Sequence, residues 1–281
     1  MIRSMSAVRR QIKETMPLIH CITNPISIHD CANAILAAGA RPIMAEHPKE
    51  AAQITASAQA LVVNLGNITD ARMESAGISM RTAREEGIPS LLDLVGVACS
   101  GLRYTLAREL LRDMPPAILK GNITELLKMT EEPDVSGIGQ EKGVGIDARR
   151  QDALSDANCF ETIRKFAALS ERTGSVILAT GRQDLIVSAD QAYLASNGVD
   201  MLSRINGTGC MAGALCGVYL AGGDPLTAAV LGVSVLNIAG ELAQESAKGP
   251  GSFQINLQDE LYGLTDSILQ DRLKLTAVDG I

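Results

Sequence analysis

The chain has 281 residues, of which 46% are hydrophobic and 20% charged, and it carries a formal net charge of -7. This is enough apolar material for one large core, and no linker divides it, so a single domain over residues 1–281 is expected and disordered or fibrous classes are excluded. The acidic balance offers no track for a phosphate backbone, which argues against nucleic acid, and with 2% aromatics and no Trp a ligand must lie between aliphatic side chains.

In chain order, Val8, Ile12 and Met16 recur at helical spacing in an N-terminal segment that lacks the apolar run of a secretory signal, which predicts a short amphipathic helix. LIHCI reads as a strand leading to a helix from about Ser27. PIMA and ALVVNL are further strands, the second followed by a charged helix from about Thr69. SLLDLV leads to a helix near Leu102, and AILK to one near Thr124. The stretch from Glu131 to Asn158, rich in Gly, Asp and Gln, reads as a surface loop or flap, overlapping a helix expected from about Asp156 to Thr173. SVILAT and LIVSA are the last expected strands, and helices are expected from Thr208, Asp224 and Leu257. The runs Met211–Gly222 and Leu226–Gly240 fall short of the roughly 20 apolar residues of a membrane span, so they are expected as buried helices and no membrane partner is implied. This alternation predicts an α/β protein with a mostly parallel central sheet flanked by helices on both faces.

In such sheets ligands bind beyond the carboxyl ends of the strands. The residues that fall there are Asn24, Met44, Glu46, Asn64, Asp93, Lys120, Asn122 and Thr180. The stretch NGTGC, Asn206 to Cys210, is a glycine-rich turn opening onto a helix, whose first backbone N–H groups are unpaired and can meet an anion. Spacing alone admits equally the close helix packing that small residues favour. The cysteines Cys21, Cys31, Cys99, Cys159, Cys210 and Cys216 form no CxxC pair and spell neither a zinc site nor a disulfide framework, so a reduced, cytoplasmic chain is expected. His20, His29 and His47 have no metal spacing and read as structural or interface residues.

HCITN, DCANA and GARPIMAEHP, then ALVVNLGNIT, LDLVGVACSGLR, ILKGNITELL, ATGRQDLI and INGTGCMAGAL, and finally KGPGSF, stand in an order that resembles the hydroxyethylthiazole kinases over nearly the whole chain. That resemblance implies a ribokinase-like three-layer αβα fold. It implies transfer of the ATP γ-phosphoryl group, with Mg²⁺, to the primary alcohol of 4-methyl-5-(2-hydroxyethyl)thiazole in thiamin salvage, by a homotrimer with sites between neighbouring subunits. Under the same resemblance Gly207, Thr208 and Gly209 form an anion hole. Cys210 stands where most ribokinase-like enzymes place an aspartate base, and thiols, which ordinarily titrate near pH ~8.5, shift toward thiolate at helix N-termini. Asp93 and Glu125, the latter in an NxxE-like element, act on Mg²⁺, with Glu125 working largely through water. Lys120, Thr180 and Asp93 face the nucleotide, and Met44, Gly207 and Asn24 face the thiazole alcohol.

The chain departs from the family in two places. A family stretch close to DPVGVGAT reads DLVGVACS here: Leu94 replaces the proline, and Ala98, Cys99 and Ser100 replace the last three residues. Losing the proline is expected to free the backbone and loosen Asp93. Lys120 stands where the family has arginine, which keeps the charge and loses the bidentate fork. Two rival readings follow: a ribokinase-like kinase for another small alcohol, whose relatives carry Asp at the Cys210 position, and a thiazole-binding protein that has lost transfer.

Overall fold

The computed structural model describes residues 2–131 and 159–278. Strands β1 (Leu18–Ile22), β2 (Arg41–Ile43), β3 (Ala60–Asn64), β4 (Ser90–Asp93), β5 (Ile118–Asn122) and β6 (Val176–Thr180) are parallel. β7 (Asp184–Val187), β8 (Ala192–Ala195) and β9 (Leu275–Val278) continue the sheet antiparallel, in the order β2-β1-β3-β4-β5-β6-β7-β8-β9. The central strands are unbroken apolar runs because both of their faces are covered. Val62, Leu91, Ile118, Leu178 and Ile186 point into one core, while their neighbours Leu61, Leu92, Leu119, Ile177 and Leu185 point into the other.

Helices α1 (Ile2–Thr15), α2 (Ile28–Ala37), α8 (Thr208–Leu220), α9 (Pro225–Ser246), α10 (Pro250–Gly263) and α11 (Asp266–Arg272) build the first core. α4 (Asp70–Glu85), α5 (Gly101–Asp113), α6 (Ile123–Thr130) and α7 (Cys159–Thr173) build the second, and α3 (Pro48–Ser57) packs beside α4. The three-layer arrangement with a mostly parallel sheet is therefore as expected. Helix starts follow local chemistry: the Thr69 side chain caps α4, and Asp224 caps α9 with Pro225 in its first turn.

Several elements differ from the expectation. α10 starts at Pro250 rather than near Leu257, and α3, α11, β8 and β9 were not foreseen. Met16 lies outside α1 with φ 44 and is 54% exposed, because the helix has already ended at Thr15 and the chain turns into β1. The stretch 132–158, including the expected flap and the first turn of the helix expected from Asp156, falls outside the described residues. α9 runs 22 residues, longer than its apolar run suggested, and by length and composition alone such a helix could cross a membrane. Its most apolar window is 78% buried inside the fold, so it is accounted for as a core helix.

α8 lies directly on the sheet because glycine spares it a side chain where it crosses. A Cβ at Gly217 would collide with Val62, and one at Gly213 would sit 3.3 Å from Asp93 Oδ2. Where α8 and α9 cross, a Cβ at Gly232 would lie 2.7 Å from the backbone nitrogen of Cys216, which cannot move aside as a side-chain tip can. Gly77, within α4, has open space around its Cβ position. Gly232→Ala is accordingly expected to cost about 2–3 kcal/mol by forcing the two helices apart. Gly77→Ala is expected to stabilise by about 0.5–1 kcal/mol by restricting the unfolded chain. Urea unfolding of the two variants checks both signs.

Candidate active site

Because β1 to β6 are parallel, their carboxyl ends lie along one edge of the sheet, and the polar residues that close them meet there. Asp93, the last residue of β4, is 1% exposed, and Lys120, paired with it in register on β5, is 2% exposed. Lys120 Nζ donates to Asp93 Oδ2 at 2.9 Å. Asn64, in register with Asp93 on β3, donates its Nδ2 to the same oxygen at 3.0 Å. Burial pushes the Asp93 carboxyl above the usual carboxylate range, against the pull of the Lys120 ammonium and the Asn64 amide. Burial also works against the Lys120 ammonium, but the Asp93 carboxylate outweighs it and holds the amine above its ordinary range. The other carboxylate oxygen, Asp93 Oδ1, is buried and has no hydrogen-bond partner.

The same network reaches Cys210. Asn64 Nδ2 lies 3.4 Å from Cys210 Sγ, and Asn24 Nδ2 donates to that sulfur at 3.1 Å. Asn64 is itself held by the Gly66 backbone N–H, which donates to its Oδ1 at 2.8 Å. Two carboxamide donors thus converge on one sulfur.

Cys210 is in the first turn of α8, whose N-cap is Gly207. Gly207 has φ +85, and a Cβ there would meet the buried Ser27 at 3.0 Å, so both conformation and space demand glycine. Gly207 provides no side-chain cap, and the first intrahelical bond runs from the Met211 N–H to the Gly207 carbonyl. The N–H groups of Thr208, Gly209 and Cys210 precede that bond, and open space surrounds the Cβ position of Gly209. An anion meeting these amides would also gain from the helix dipole. The Thr208 hydroxyl is turned away, donating to the Leu202 carbonyl at 3.0 Å.

Glu125 lies one turn into α6, in a capping box: its Oε2 accepts from the Asn122 N–H at 2.8 Å while Asn122 Oδ1 accepts from the Glu125 N–H. Its Oε1 accepts from the Gly96 N–H at 2.7 Å, which ties α6 to the turn after β4. Burial raises the Glu125 carboxyl to about 7 against these backbone donors. Thr180 closes β6 opposite Asn122, and its hydroxyl donates to the Gly121 carbonyl at 3.4 Å. Met44 follows β2 and is half-buried against the first core.

A divalent ion fits this site only through few direct bonds. Among the described residues no three His, Cys, Asp or Glu side chains cluster as a metal cage. The unpartnered Asp93 Oδ1 nonetheless calls for a cation or donor, and Mg²⁺ keeps most of its waters.

The structure therefore joins Asn24, Asp93, Lys120 and Cys210 in one hydrogen-bonded chain, with Gly207 to Gly209 beginning the same helix as Cys210. Glu125 joins through the turn after β4, Thr180 bonds to the neighbouring strand β5, and Met44, just past the edge strand β2, packs against the first core. Lys120 points into the site floor at Asp93 rather than outward. Sequence reasoning missed the bridging role of Asn64, whose only signal was its place at a strand end. It also misjudged Leu94. That residue is fully buried, and its N–H donates to the Lys120 carbonyl at 2.8 Å, a bond that proline could not make. Leu94 tightens the placement of Asp93 instead of loosening it.

Lys120→Met would leave a buried carboxylate unpaired and is expected to cost about 3–5 kcal/mol. Adding Asp93→Asn removes that charge, so the double variant is expected to regain most of the loss in urea unfolding. A double variant no more stable than Lys120→Met would contradict the pairing.

The pattern of the Hydroxyethylthiazole kinase family matches residues 10–267. The chain is 45% identical over 270 residues to Hydroxyethylthiazole kinase 2 of Clostridium botulinum, covering 96% of this chain and 99% of that protein. The solved structure of a hydroxyethylthiazole kinase protein from Pyrococcus horikoshii OT3 superposes with a TM-score of 0.86 at 28% identity, covering 99% of this chain and 100% of the other. A ribokinase-like superfamily protein of Enterococcus faecalis V583 shares the fold at 13% identity and TM-score 0.59, covering 89% of this chain and 88% of its own. By sequence over nearly its full length and by fold, the chain belongs to the hydroxyethylthiazole kinase family.

Proposed function

We propose that this protein is a single-domain kinase that transfers the γ-phosphoryl group of ATP to the primary alcohol of 4-methyl-5-(2-hydroxyethyl)thiazole, giving the thiazole phosphate used in thiamin salvage. The observation that carries the reading is the thiol in the first turn of α8, beside unpaired backbone amides and held by two carboxamides, in a chain of this family. The alcohol oxygen forms the new bond to phosphorus as the bond to the β-phosphate oxygen breaks, and that electron pair leaves with ADP. The alcohol proton passes to the Cys210 sulfur, which must enter the step as the thiolate and leave it as the thiol, and which Asn24 and Asn64 hold in place. The amides of Gly207, Thr208 and Gly209 meet the charge on the equatorial oxygens, where they need no reorganisation.

Mg²⁺ supplies neutralisation of the nucleotide phosphates when bound, and Asp93 and Glu125 are the residues that would hold it. Thr180 lines the nucleotide side, and Lys120 lies beneath it, buried in its pair with Asp93. Asn24, Gly207 and Met44 line the alcohol side, with the thioether of Met44 against the ring. A reduced, cytoplasmic setting belongs to the same reading, in which none of the six cysteines needs a disulfide.

A homotrimer completes the reading. A cleft of about 360 Å³, lined by Ile26, Asp30, Arg204, Asn206 and Gln254, opens beside Gly207. Ile26, which lines it, is 66% exposed, surface that a second copy would cover.

Incubation with ATP, Mg²⁺ and the thiazole alcohol is expected to yield thiazole phosphate and ADP in equal amounts by mass spectrometry, and no product at high enzyme concentration would overturn the reading. Sedimentation velocity is expected to give three times the chain mass of 29.6 kDa. Ile26→Glu is expected to shift that species to monomer and lower kcat/KM for the alcohol.

A further inference from the structure

The chain leaves the sheet after β2 through four residues, Met44 to His47, before α3 begins. β2 is three residues long at the sheet edge, so the corner has no ladder to hold it. Buried side chains from two other elements hold it instead. His20 of β1, which is fully buried, places Nε2 2.9 Å from the Ala45 carbonyl and Nδ1 2.9 Å from the Thr55 hydroxyl of α3. A carbonyl only accepts, so Nε2 carries the proton. Burial lowers the pKa of His20, which favours the neutral ring. Ser75 of α4 donates its hydroxyl to the Glu46 carbonyl at 2.7 Å.

Arg72 of α4 makes the decisive contact. Its side chain is 4% exposed, yet its Nε donates to Glu46 Oε2 at 2.6 Å and its Nη1 to the Asn67 carbonyl at 2.8 Å. Asn67 sits in the turn after β3 with φ 47, next to the Gly66 whose N–H fixes Asn64. One guanidinium thus ties the corner carrying Met44 to the turn that sets Asn64, and Asn64 touches Cys210. Burying an arginine is costly, and a fork with two fixed acceptors at an angle is something lysine cannot supply. Stability alone does not explain why that fork joins two loops at the ligand edge of the sheet.

We propose that Arg72 is a positioning residue for the alcohol substrate, a clamp that sets the spacing between the Met44 lip and the Asn64–Cys210 end of the site. The proposal rests on the reading of Met44 as the ring contact. The ring docks against a preformed edge, and its hydroxyethyl arm then reaches the sulfur without the loop having to order on binding.

Steady-state kinetics of Met44→Ala, Arg72→Lys and Glu46→Ala, with KM for the thiazole alcohol and for ATP measured separately, test this. All three are expected to raise the alcohol KM by about tenfold while the ATP KM stays within about twofold. A purely structural role for Arg72 would lower the melting temperature and leave both KM values together. If Met44→Ala raises the alcohol KM and Arg72→Lys does not, the clamp is overturned while Met44 keeps its role. If Met44→Ala leaves the alcohol KM unchanged, the ring-contact reading falls and the clamp falls with it. Should Arg72→Lys fail to fold, Glu46→Ala, whose side chain is half exposed, decides alone: an unchanged alcohol KM overturns the clamp.

Discussion

The site is organised around a carboxylate buried at the end of a strand. Asp93 has almost no contact with water, so its charge can persist only if the protein supplies what water would have supplied. Lys120 and Asn64 do so from the strands on either side, and both use the same oxygen. Their arrangement depends on parallel register, since Asn64, Asp93 and Lys120 are consecutive partners across β3, β4 and β5. A slip of one residue in any of these strands would turn one of the three to the opposite core.

Helix α8 is the second half of the device, and it depends on the first for its position. Gly213 lets its backbone come down onto the Asp93–Lys120 pair, and Gly217 lets it rest on Val62. With the helix axis set against the sheet, its first turn brings Cys210 within reach of Asn24 and Asn64. The second oxygen of Asp93 is left without a partner, which is a real cost in an otherwise satisfied floor.

Much of this was legible in the sequence, for identifiable reasons. Parallel strands send their carboxyl ends to one edge, so Asn24, Asp93, Lys120 and Thr180 could be gathered from strand assignment alone, and a glycine turn opening a helix marked Gly207 to Cys210. The link from Asn64 to Cys210 could not be read, because it joins residues 146 positions apart and depends on where α8 lands on the sheet. The tightening by Leu94 was hidden for a similar reason: its N–H finds an acceptor only once β5 lies beside β4 in this register. β8 and β9 are four-residue strands at the antiparallel edge, too short for a periodic signal, and α3 is capped by His47, a residue that rarely announces a helix start.

The central claim is that Cys210 takes the alcohol proton while Asn64 holds the sulfur for that task. It is tested most directly by single-turnover phosphoryl transfer, followed by rapid quench, in Cys210→Ala, Asn64→Ala and the double variant. If the two act as a unit, each single change slows the chemical step by about 10²-fold or more and the double variant is little slower than Cys210→Ala. Losses that simply multiply, or a Cys210→Ala variant that transfers at the unaltered rate, would contradict the account.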